Sequence, residues 1–334
     1  MPGPVRRGRY SGPRRSTGTG TMDSFSPSLE CSLGRLVLPN PVLAASGTAG
    51  YGTEKLPHLD VHGLGALVTK GISLEPRAGN PPPRIVETPC GMLNAIGLQN
   101  IGVESFLREH LPLLRERGVR VIVNVFGETE EEYINLTSRL GAQEGIMGLE
   151  LNVSCPNVKS GGRAFGRDPE VLHHLVKRVR AETSTALWVK LTPDGVEPLE
   201  AAQAAWEAGC DGLTVANTYL GMAVDVERRR PRISIGAGGL SGPAIRPLTM
   251  YRVCRVARVA PVPVIASGGV ASARDALEYL IAGAGAVQVG SGAFRNPGLH
   301  HEVLEGIRDY MVRHRLGSLA QLVGSMQHPP EGFS

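Results

Sequence analysis

Cysteine is scarce in this sequence, and no two cysteines stand at a spacing that binds metal. Its five cysteines (Cys31, Cys90, Cys155, Cys210 and Cys254) are odd in number, lie far apart and form no CxxC pair. This pattern argues against a disulfide framework or a structural zinc site, and it offers no set of ligands for an iron–sulfur cluster. A reducing cytoplasm is therefore the expected location.

Long apolar runs are also absent. No stretch approaches the ~18 consecutive apolar residues that a membrane span needs, and no secretory signal is evident in the sequence. The sequence therefore predicts neither a membrane-spanning helix nor a secreted protein.

Acidic residues are missing from residues 1–21, which carry five arginines. Subtracting those five from the net charge of +4 leaves residues 22–334 close to neutral, at −1. A near-neutral body argues against a nucleic-acid-binding face. Because the Pro-, Gly-, Ser- and Arg-rich segment has almost nothing to bury, we expect a disordered basic tail over 1–21. A functionless tail or an upstream start before Met22, a polyanion-binding arm and a transit peptide all remain open.

Eight apolar runs rich in Val, Ile and Leu predict parallel strands buried on both faces. They span residues 41–47, 64–73, 120–127, 146–155, 186–193, 212–218, 261–269 and 286–292. Most of the gaps carry a helical pattern, at 102–117, 129–140, 168–183, 197–209, 244–258 and 272–283. This alternation predicts an α/β fold, the (β/α)8 (TIM) barrel, for which about 250 residues suffice. An open doubly wound sheet is the alternative, but no GxGxxG turn follows the first strand.

A short hairpin precedes the predicted barrel. Residues 29–42 (LECSLGRLVLPNPV) hold two apolar triplets around a glycine-containing turn. We expect them to form an N-terminal β-hairpin that caps the barrel from below.

Polar residues and glycines recur where the predicted strands end, at the rim that carries the chemistry of such barrels. Those at or near strand ends are Ser46, Lys70, Asn124, Asn152, Lys190, Asn217, Gly268 and Gly290. SGGV (267–270) and GSG (290–292) follow strands seven and eight, the usual phosphate site of this fold. GAGGLSGPA (236–244) is interpreted as a third Gly-rich turn. Ordinary tight turns are the alternative reading of all three.

Two lysines and one cysteine are candidates for chemistry. Lys70 and Lys190 lie within strand patterns, and a lysine at the barrel mouth would meet an anion; simple exposure at a strand end is the alternative. Cys155 ends the stretch LNVSC and precedes a Gly-rich loop, 157–166, that is typical of a mobile lid. A lone cysteine is often only a packing residue, but this placement favours a functional thiol. The histidine pairs 173–174 and 300–301 fall on helices and are interpreted as surface or packing residues.

Several stretches together carry a resemblance to a known family. They are, in chain order, PVLAASG, GNPPPRIVETPCGMLNAIGLQN, LELNVSCPNVKSGGRAFGRDPE, WVKLTP, NT, GGLSGPA, IASGGV and VGSGAF. From about residue 30 to 320 the sequence resembles the catalytic subunit of class 1B dihydroorotate dehydrogenase. The lid sequence NVKSGGRAFG is similar to the B form rather than the A form. The class 2 enzymes use a serine base and an N-terminal membrane segment, and the sequence shows neither.

The resemblance implies an FMN-binding catalytic domain over residues 22–334, with Cys155 as the catalytic base. It implies FMN contacts from Ser46, Lys70, Gly71, Asn124, Asn152, Lys190, Ala216, Gly242, Gly268, Gly269, Gly290 and Ser291. It implies orotate contacts from Lys70, Asn94, Ala95, Ile96, Gly97, Leu98, Asn152, Asn217 and Thr218. Ala216 departs from the larger aliphatic residue of the family, although a flavin contact through its backbone would survive.

The implied reaction oxidises (S)-dihydroorotate to orotate in de novo pyrimidine (UMP) biosynthesis. A hydride leaves C6 for N5 of FMN, and Cys155 takes the proton from C5. A free thiol titrates at about 8.5, which is close enough to ambient pH for a general base.

In the B form, electrons pass to NAD through a subunit that carries FAD and an iron–sulfur cluster. The resemblance implies a dimer of this chain with two such subunits. One alternative is an A-type enzyme that reduces fumarate without a partner. Two others are a phosphate-binding isomerase or aldolase that uses Lys190 or Cys155 without flavin, and a barrel that serves only as a binding module.

Overall fold

Eight parallel strands close into a barrel in the computed structural model of the chain, which describes residues 25–55, 60–61, 63–154 and 165–327. The described residues also form strands outside the barrel. In chain order, all the strands are β1 Cys31–Leu33, β2 Leu36–Leu38, β3 Val42–Ala44, β4 Ala66–Val68, β5 Ile85–Thr88, β6 Gly91–Asn94, β7 Val121–Val125, β8 Ile146–Asn152, β9 Ala186–Lys190, β10 Gly212–Val215, β11 Tyr219–Met222, β12 Val224–Asp225, β13 Arg230–Pro231, β14 Ala237–Ser241, β15 Val264–Ser267 and β16 Ala286–Val289. The predicted tail, residues 1–21, lies outside the described residues.

The barrel order is β3-β4-β7-β8-β9-β10-β15-β16, with β16 paired back to β3. Each of the eight predicted strands contains one of these, and every pairing in the ring is parallel. Their side chains are almost all buried because helices cover the outside. The predicted (β/α)8 barrel is confirmed, and the open doubly wound sheet is excluded by closure.

Helices fill most of the connections between barrel strands. They are α1 Gly102–Ser105, α2 Leu111–Glu116, α3 Glu130–Gly141, α4 Pro169–Glu182, α5 Pro198–Glu207, α6 Arg246–Ala257, α7 Ala273–Ile281, α8 Gly292–Arg295 and α9 Leu299–Arg313. Side-chain caps fix three starts, since Thr129, Asp168 and Ser272 each accept a hydrogen bond from a first-turn N–H. None of the helices in the described part of the chain is long and apolar enough to cross a membrane.

The first predicted helix, 102–117, is not uniform. A π-helical turn, Phe106–His110, separates α1 from α2. Pro112, the second residue of α2, has no N–H to bond back to the carbonyl of Arg108, so regular α-helical bonding cannot continue through this point.

The predicted hairpin is confirmed at the closed end of the barrel. β1 and β2 pair antiparallel, and Leu33 and Leu38 are fully buried. At its turn, Arg35 donates to the Ser184 carbonyl at 3.0 Å and pairs with Asp211 at 2.8 Å. Ser184 and Asp211 precede β9 and β10, so the hairpin covers the N-terminal ends of the barrel strands.

A second sheet lies at the opposite, C-terminal end of the barrel. Its four antiparallel strands, in the order β11-β14-β6-β5, were not predicted as a sheet. We call it the small sheet. The prediction of a Gly-rich turn over 236–244 is wrong for β14, which is extended. A Cβ at Gly239 would lie 2.1 Å from Thr218 Oγ1, and one at Gly238 would lie 2.5 Å from the Asn94 carbonyl oxygen. These glycines therefore serve close strand packing rather than a turn.

The last long helix, α9, packs against α7 and β3. His300 lies in its first turn and is only 7% exposed. Among the described residues, neither ring nitrogen has a partner within hydrogen-bond geometry. His300 is thus a packing residue as predicted, whereas His301 and His174 are exposed and His173 is half-buried.

Candidate functional site

A cavity of about 560 Å³ opens at the C-terminal ends of the barrel strands, below the small sheet. All the predicted cofactor and substrate residues line it: Ser46, Lys70, Gly71, Asn94, Ala95, Ile96, Gly97, Leu98, Asn124, Asn152, Lys190, Ala216, Asn217, Thr218, Gly242, Gly268, Gly269, Gly290 and Ser291. The volume falls within the ~300–1,000 Å³ typical of small-molecule sites. Cys155 lies outside the described residues; the last one before it, Ser154, lines the same cavity.

The glycine loops after β15 and β16 form one wall. The backbone N–H groups of Gly268, Gly269, Gly290 and Ser291 donate no hydrogen bond to any residue that the structure describes. Half-buried N–H groups without partners are the usual donors to a phosphate. We call these four residues the N–H cradle.

Gly269 cannot be replaced freely in the N–H cradle. Its φ of +73° belongs to the left-handed region, and a Cβ there would lie 2.6 Å from Cβ of Arg246. Tyr279 supports the same loop from behind, because its hydroxyl donates to the Gly268 carbonyl at 2.7 Å.

Lys190 ends β9 in the barrel interior, with only 4% of the residue exposed. Its ammonium donates to Ser46 Oγ at 3.1 Å and to Gln288 Oε1 at 3.3 Å. Glu150 Oε1 lies 3.8 Å from the same nitrogen. Lys190 is therefore a buried cation with its own counter-ion, and the alternative of an exposed strand-end lysine is wrong for it.

Lys70 stands at the end of β4 and is half-buried. Burial lowers the pKa of its ammonium, and the positive charge of Arg84 lowers it further against an opposing effect of Glu54. Two positive charges near one wall favour an anion such as a substrate carboxylate. Next to Lys70, a Cβ at Gly71 would lie 2.9 Å from Oδ1 of Asn124, so only glycine leaves this amide oxygen at the cavity wall.

The segment Asn94–Leu98 forms the cavity wall on the side of the small sheet. Asn94 donates from Nδ2 to the Gly239 carbonyl at 3.2 Å, which ties the end of β6 to β14. Asn80 holds the next two residues, because its Nδ2 donates to the Ala95 carbonyl at 3.0 Å and its N–H donates to that of Ile96 at 3.0 Å. The wall is thus built from hydrogen bonds that reach well beyond the segment itself.

Asn100, which the sequence reasoning missed, closes this wall. Only 5% of it is exposed, and its Oδ1 accepts from the N–H groups of Ser73 at 3.2 Å and Gly102 at 2.8 Å. Its Nδ2 donates to Ser73 Oγ at 2.7 Å and to the Leu98 carbonyl at 3.0 Å. Both ends of its amide are therefore used for structure.

Two asparagines at the ends of β8 and β10 are joined directly. Asn217 donates from Nδ2 to Oδ1 of Asn152 at 3.1 Å and to Oγ of Ser154 at 2.9 Å. The hydroxyl of Tyr133 fixes the end of β8 by donating to the Asn152 carbonyl at 2.7 Å. Amides can donate and accept at once, which suits a planar substrate with both carbonyl and N–H edges.

Four polar residues fill the barrel interior at and just below the cavity floor, where two of them, Asn124 and Gln288, line the cavity. The sequence reasoning did not select three of the four. Asn124 was predicted, whereas Glu150, Thr214 and Gln288 were not, and all four are at most 1% exposed. Their signal was present in the sequence. Glu150 and Gln288 stand two positions before the predicted rim residues Asn152 and Gly290, on the same inward faces of their strands. Thr214 stands two positions before Ala216, which the resemblance gave as an FMN contact.

These features fit FMN. The N–H cradle meets the requirement for a phosphate, and Lys190 and Asn124 offer a cation and an amide to a polar ring. Within the described ranges, no group of three or more His, Cys, Asp or Glu side chains is placed to hold a metal ion.

Comparison with known proteins gives one consistent family. The sequence model of the dihydroorotate dehydrogenase family matches residues 28–311. A protein of Trichlorobacter lovleyi named "Dihydroorotate dehydrogenase B (NAD(+)), catalytic subunit" is 50% identical over 91% of this chain and 100% of its own length. Proteins of the same name from Citrifermentans bemidjiense (45% identical) and Geotalea uraniireducens (47%) each cover 90% of this chain, with 99% and 98% of their own lengths aligned.

A solved structure shares the fold. The dihydroorotate dehydrogenase of Eimeria tenella, in complex with ferulenol, superposes with a TM-score of 0.77 at 23% identity, covering 91% of this chain and 90% of that one.

Proposed function

This chain belongs to the dihydroorotate dehydrogenase family, and from that premise we propose that it oxidises (S)-dihydroorotate to orotate as the catalytic subunit of a B-type enzyme. The observation that carries the proposal is the single cavity at the barrel mouth, which gathers the predicted cofactor and substrate residues of the described chain. The step belongs to pyrimidine biosynthesis, and we infer a cytoplasmic location.

FMN is the proposed cofactor, and when bound it accepts the hydride from C6 of the substrate. The N–H cradle would hold its phosphate, and the buried ammonium of Lys190 would stabilise negative charge on its ring system. Ser46 keeps that ammonium in place through their 3.1 Å hydrogen bond. Positioning by fixed charges avoids reorganisation during the reaction.

The substrate would lie between the flavin and the small sheet. Lys70 would bind its carboxylate, and the joined pair Asn152 and Asn217 would orient its ring by donating and accepting hydrogen bonds. Cys155 would take the proton from C5. The family resemblance supports this role, and so does the position of the preceding residue, Ser154, at the cavity wall.

A partner chain completes the proposed enzyme. The relatives are named catalytic subunits of NAD(+)-dependent enzymes, and the family resemblance adds an FAD and iron–sulfur subunit in a tetramer of two catalytic and two partner chains. The same names favour this B-type assembly over an A-type enzyme that reduces fumarate alone.

Anaerobic flavin reduction tests the proposal. The purified chain should release FMN on denaturation, and its absorbance near 450 nm should bleach when dihydroorotate is added without oxygen. Cys155→Ala should keep the flavin but slow bleaching by at least ~100-fold, the loss typical for a general base. Cys254→Ala on α6, outside the cavity, is the matched control and should bleach at the wild-type rate.

Three results would contradict parts of this proposal. Protein without flavin would remove the oxidoreductase reading, and a Cys155→Ala variant that bleaches normally would remove the thiol as base. Rapid fumarate reduction by the chain alone, with no NAD reduction after the partner is added, would replace the B-type assignment with the A-type one.

A further inference from the structure

Glu150 is a carboxylate placed in the interior of the barrel, where an aliphatic side chain would ordinarily pack. It lies on β8 and is 1% exposed. Its Oε1 accepts from Nδ2 of Asn124 at 2.7 Å, and its Oε2 accepts from Oγ1 of Thr214 at 2.8 Å and from Nε2 of Gln288 at 2.7 Å. Three neutral donors and the ammonium of Lys190 thus converge on it from four other strands.

A carboxylate can only accept hydrogen bonds, and this fixes the orientation of two neighbouring amides. Asn124 and Gln288 must both turn their NH₂ groups toward Glu150. The Asn124 carbonyl oxygen is then left at the cavity wall beside Gly71. The Gln288 carbonyl oxygen is left facing Lys190, from which it accepts at 3.3 Å.

Glu150 also acts on charge. Its Oε1 lies 3.8 Å from Nζ of Lys190, within ion-pair range, while both groups are buried. Screening by water is weak at such depth, so a nearby flavin would feel the cation and the anion together. A lone Lys190 would favour the reduced, negatively charged flavin more strongly than the pair does.

We propose that Glu150 is a positioning residue of the flavin site, which orients the amides of Asn124 and Gln288 and offsets part of the charge of Lys190. It thereby lowers the reduction potential of the bound flavin. This role rests on the proposed function, because it requires FMN in the cavity. Glu150 itself is separated from the cavity by the residues that it orients.

The potential of the holoenzyme is the measurement that separates this role from a purely structural one. It is determined by reductive titration against a reference dye, without dihydroorotate. Glu150→Gln removes the charge at nearly constant volume. We expect it to raise the equilibrium constant for two-electron reduction of the flavin about tenfold, which is about 30 mV for a two-electron couple. Sulfite, which adds more tightly to flavins in positive surroundings, should bind the variant more tightly.

Thr214→Val is the matched control, because it removes one 2.8 Å hydrogen bond to Glu150 and leaves its charge in place. Its equilibrium constant should stay within about threefold of wild type. If the equilibrium constant for flavin reduction in Glu150→Gln is equal to or lower than that of wild type, the proposal is overturned.

A second variant covers the case in which Glu150→Gln fails to fold. Glu150→Asp keeps the charge but withdraws it from Lys190, so its equilibrium constant should exceed that of Thr214→Val; equal values would overturn the proposal. Bleaching by dihydroorotate together with an unchanged Glu150→Gln potential rejects only the role of Glu150. If the purified wild-type protein contains no flavin, both the proposed function and the role of Glu150 are rejected.

Discussion

Replacing His300 should remove a specific part of the acid sensitivity of this protein. Burial lowers the pKa of His300 to about 4 from an ordinary value of 6.5, against a smaller opposing effect of the Val289 backbone. His300 lies in the first turn of α9, where the positive end of the helix dipole disfavours an imidazolium and therefore adds to the lowering of the pKa by burial. The folded protein therefore keeps this histidine neutral over a pH range in which the unfolded chain binds a proton.

The free energy of unfolding depends on pH because the pKa of His300 differs between the folded protein and the unfolded chain. Between pH 6.5 and pH 4 the unfolded chain binds the proton and the folded protein does not, so stability falls as the pH falls. The stabilising contribution is complete above pH 6.5 and lost below pH 4. A pKa difference of about 2.5 units corresponds to about 3 kcal/mol at 1.36 kcal/mol per unit. The slope in the middle of the range approaches 1.4 kcal/mol per pH unit.

Urea unfolding at a series of pH values between 7 and 4 measures this effect. His300→Met, whose flexible apolar side chain suits the buried site, should lose about 3 kcal/mol less than wild type across the range. His301→Met changes the exposed neighbour and should follow the wild-type curve. Parallel curves for wild type and His300→Met would show that the buried ring does not resist protonation, and the reasoning would fail.

Two further predictions concern the cavity walls. Gly269→Ala should weaken flavin binding about tenfold or more, because alanine is strained at a φ of +73° and its Cβ would lie only 2.6 Å from Cβ of Arg246. Gly317→Ala is the control: its Cβ would make only ordinary contacts, so this variant should bind flavin normally in the same fluorescence titration. Asn100→Ala should lower the free energy of unfolding by about 2–3 kcal/mol, since it leaves two buried N–H groups unpaired, and should raise KM for dihydroorotate. Asn135→Ala, which loses one exposed hydrogen bond, should change neither the free energy of unfolding nor KM. Each prediction would be contradicted if the variant and its control, Gly269→Ala with Gly317→Ala or Asn100→Ala with Asn135→Ala, had equal effects.

The barrel was predictable because its signal is local. Each barrel strand is an apolar run that stands out against its polar flanks, and three helix starts carry side-chain caps that are legible in the sequence. The rim residues followed from the same reading, since strand ends in a parallel barrel converge.

The small sheet was harder to predict because its strands owe little to their own composition. β14 is AGGLS, a sequence poor in strand formers, and it is extended because Asn94 and Thr218 pack against its glycines. The ion pair of Lys190 with Glu150 was also hidden, because it depends on contacts between strands that are distant in the sequence. The sequence places Lys190 on another strand, and only closure of the barrel brings the two within 3.8 Å.

The small sheet gives the cavity two walls of independent origin. Barrel loops supply the N–H cradle, while paired excursions from the barrel, 85–94 and 219–241, supply another wall. Surface excursions tolerate change better than barrel strands do. A change in the length or sequence of these excursions would therefore reshape one wall of the cavity and leave the N–H cradle on the barrel loops as it is.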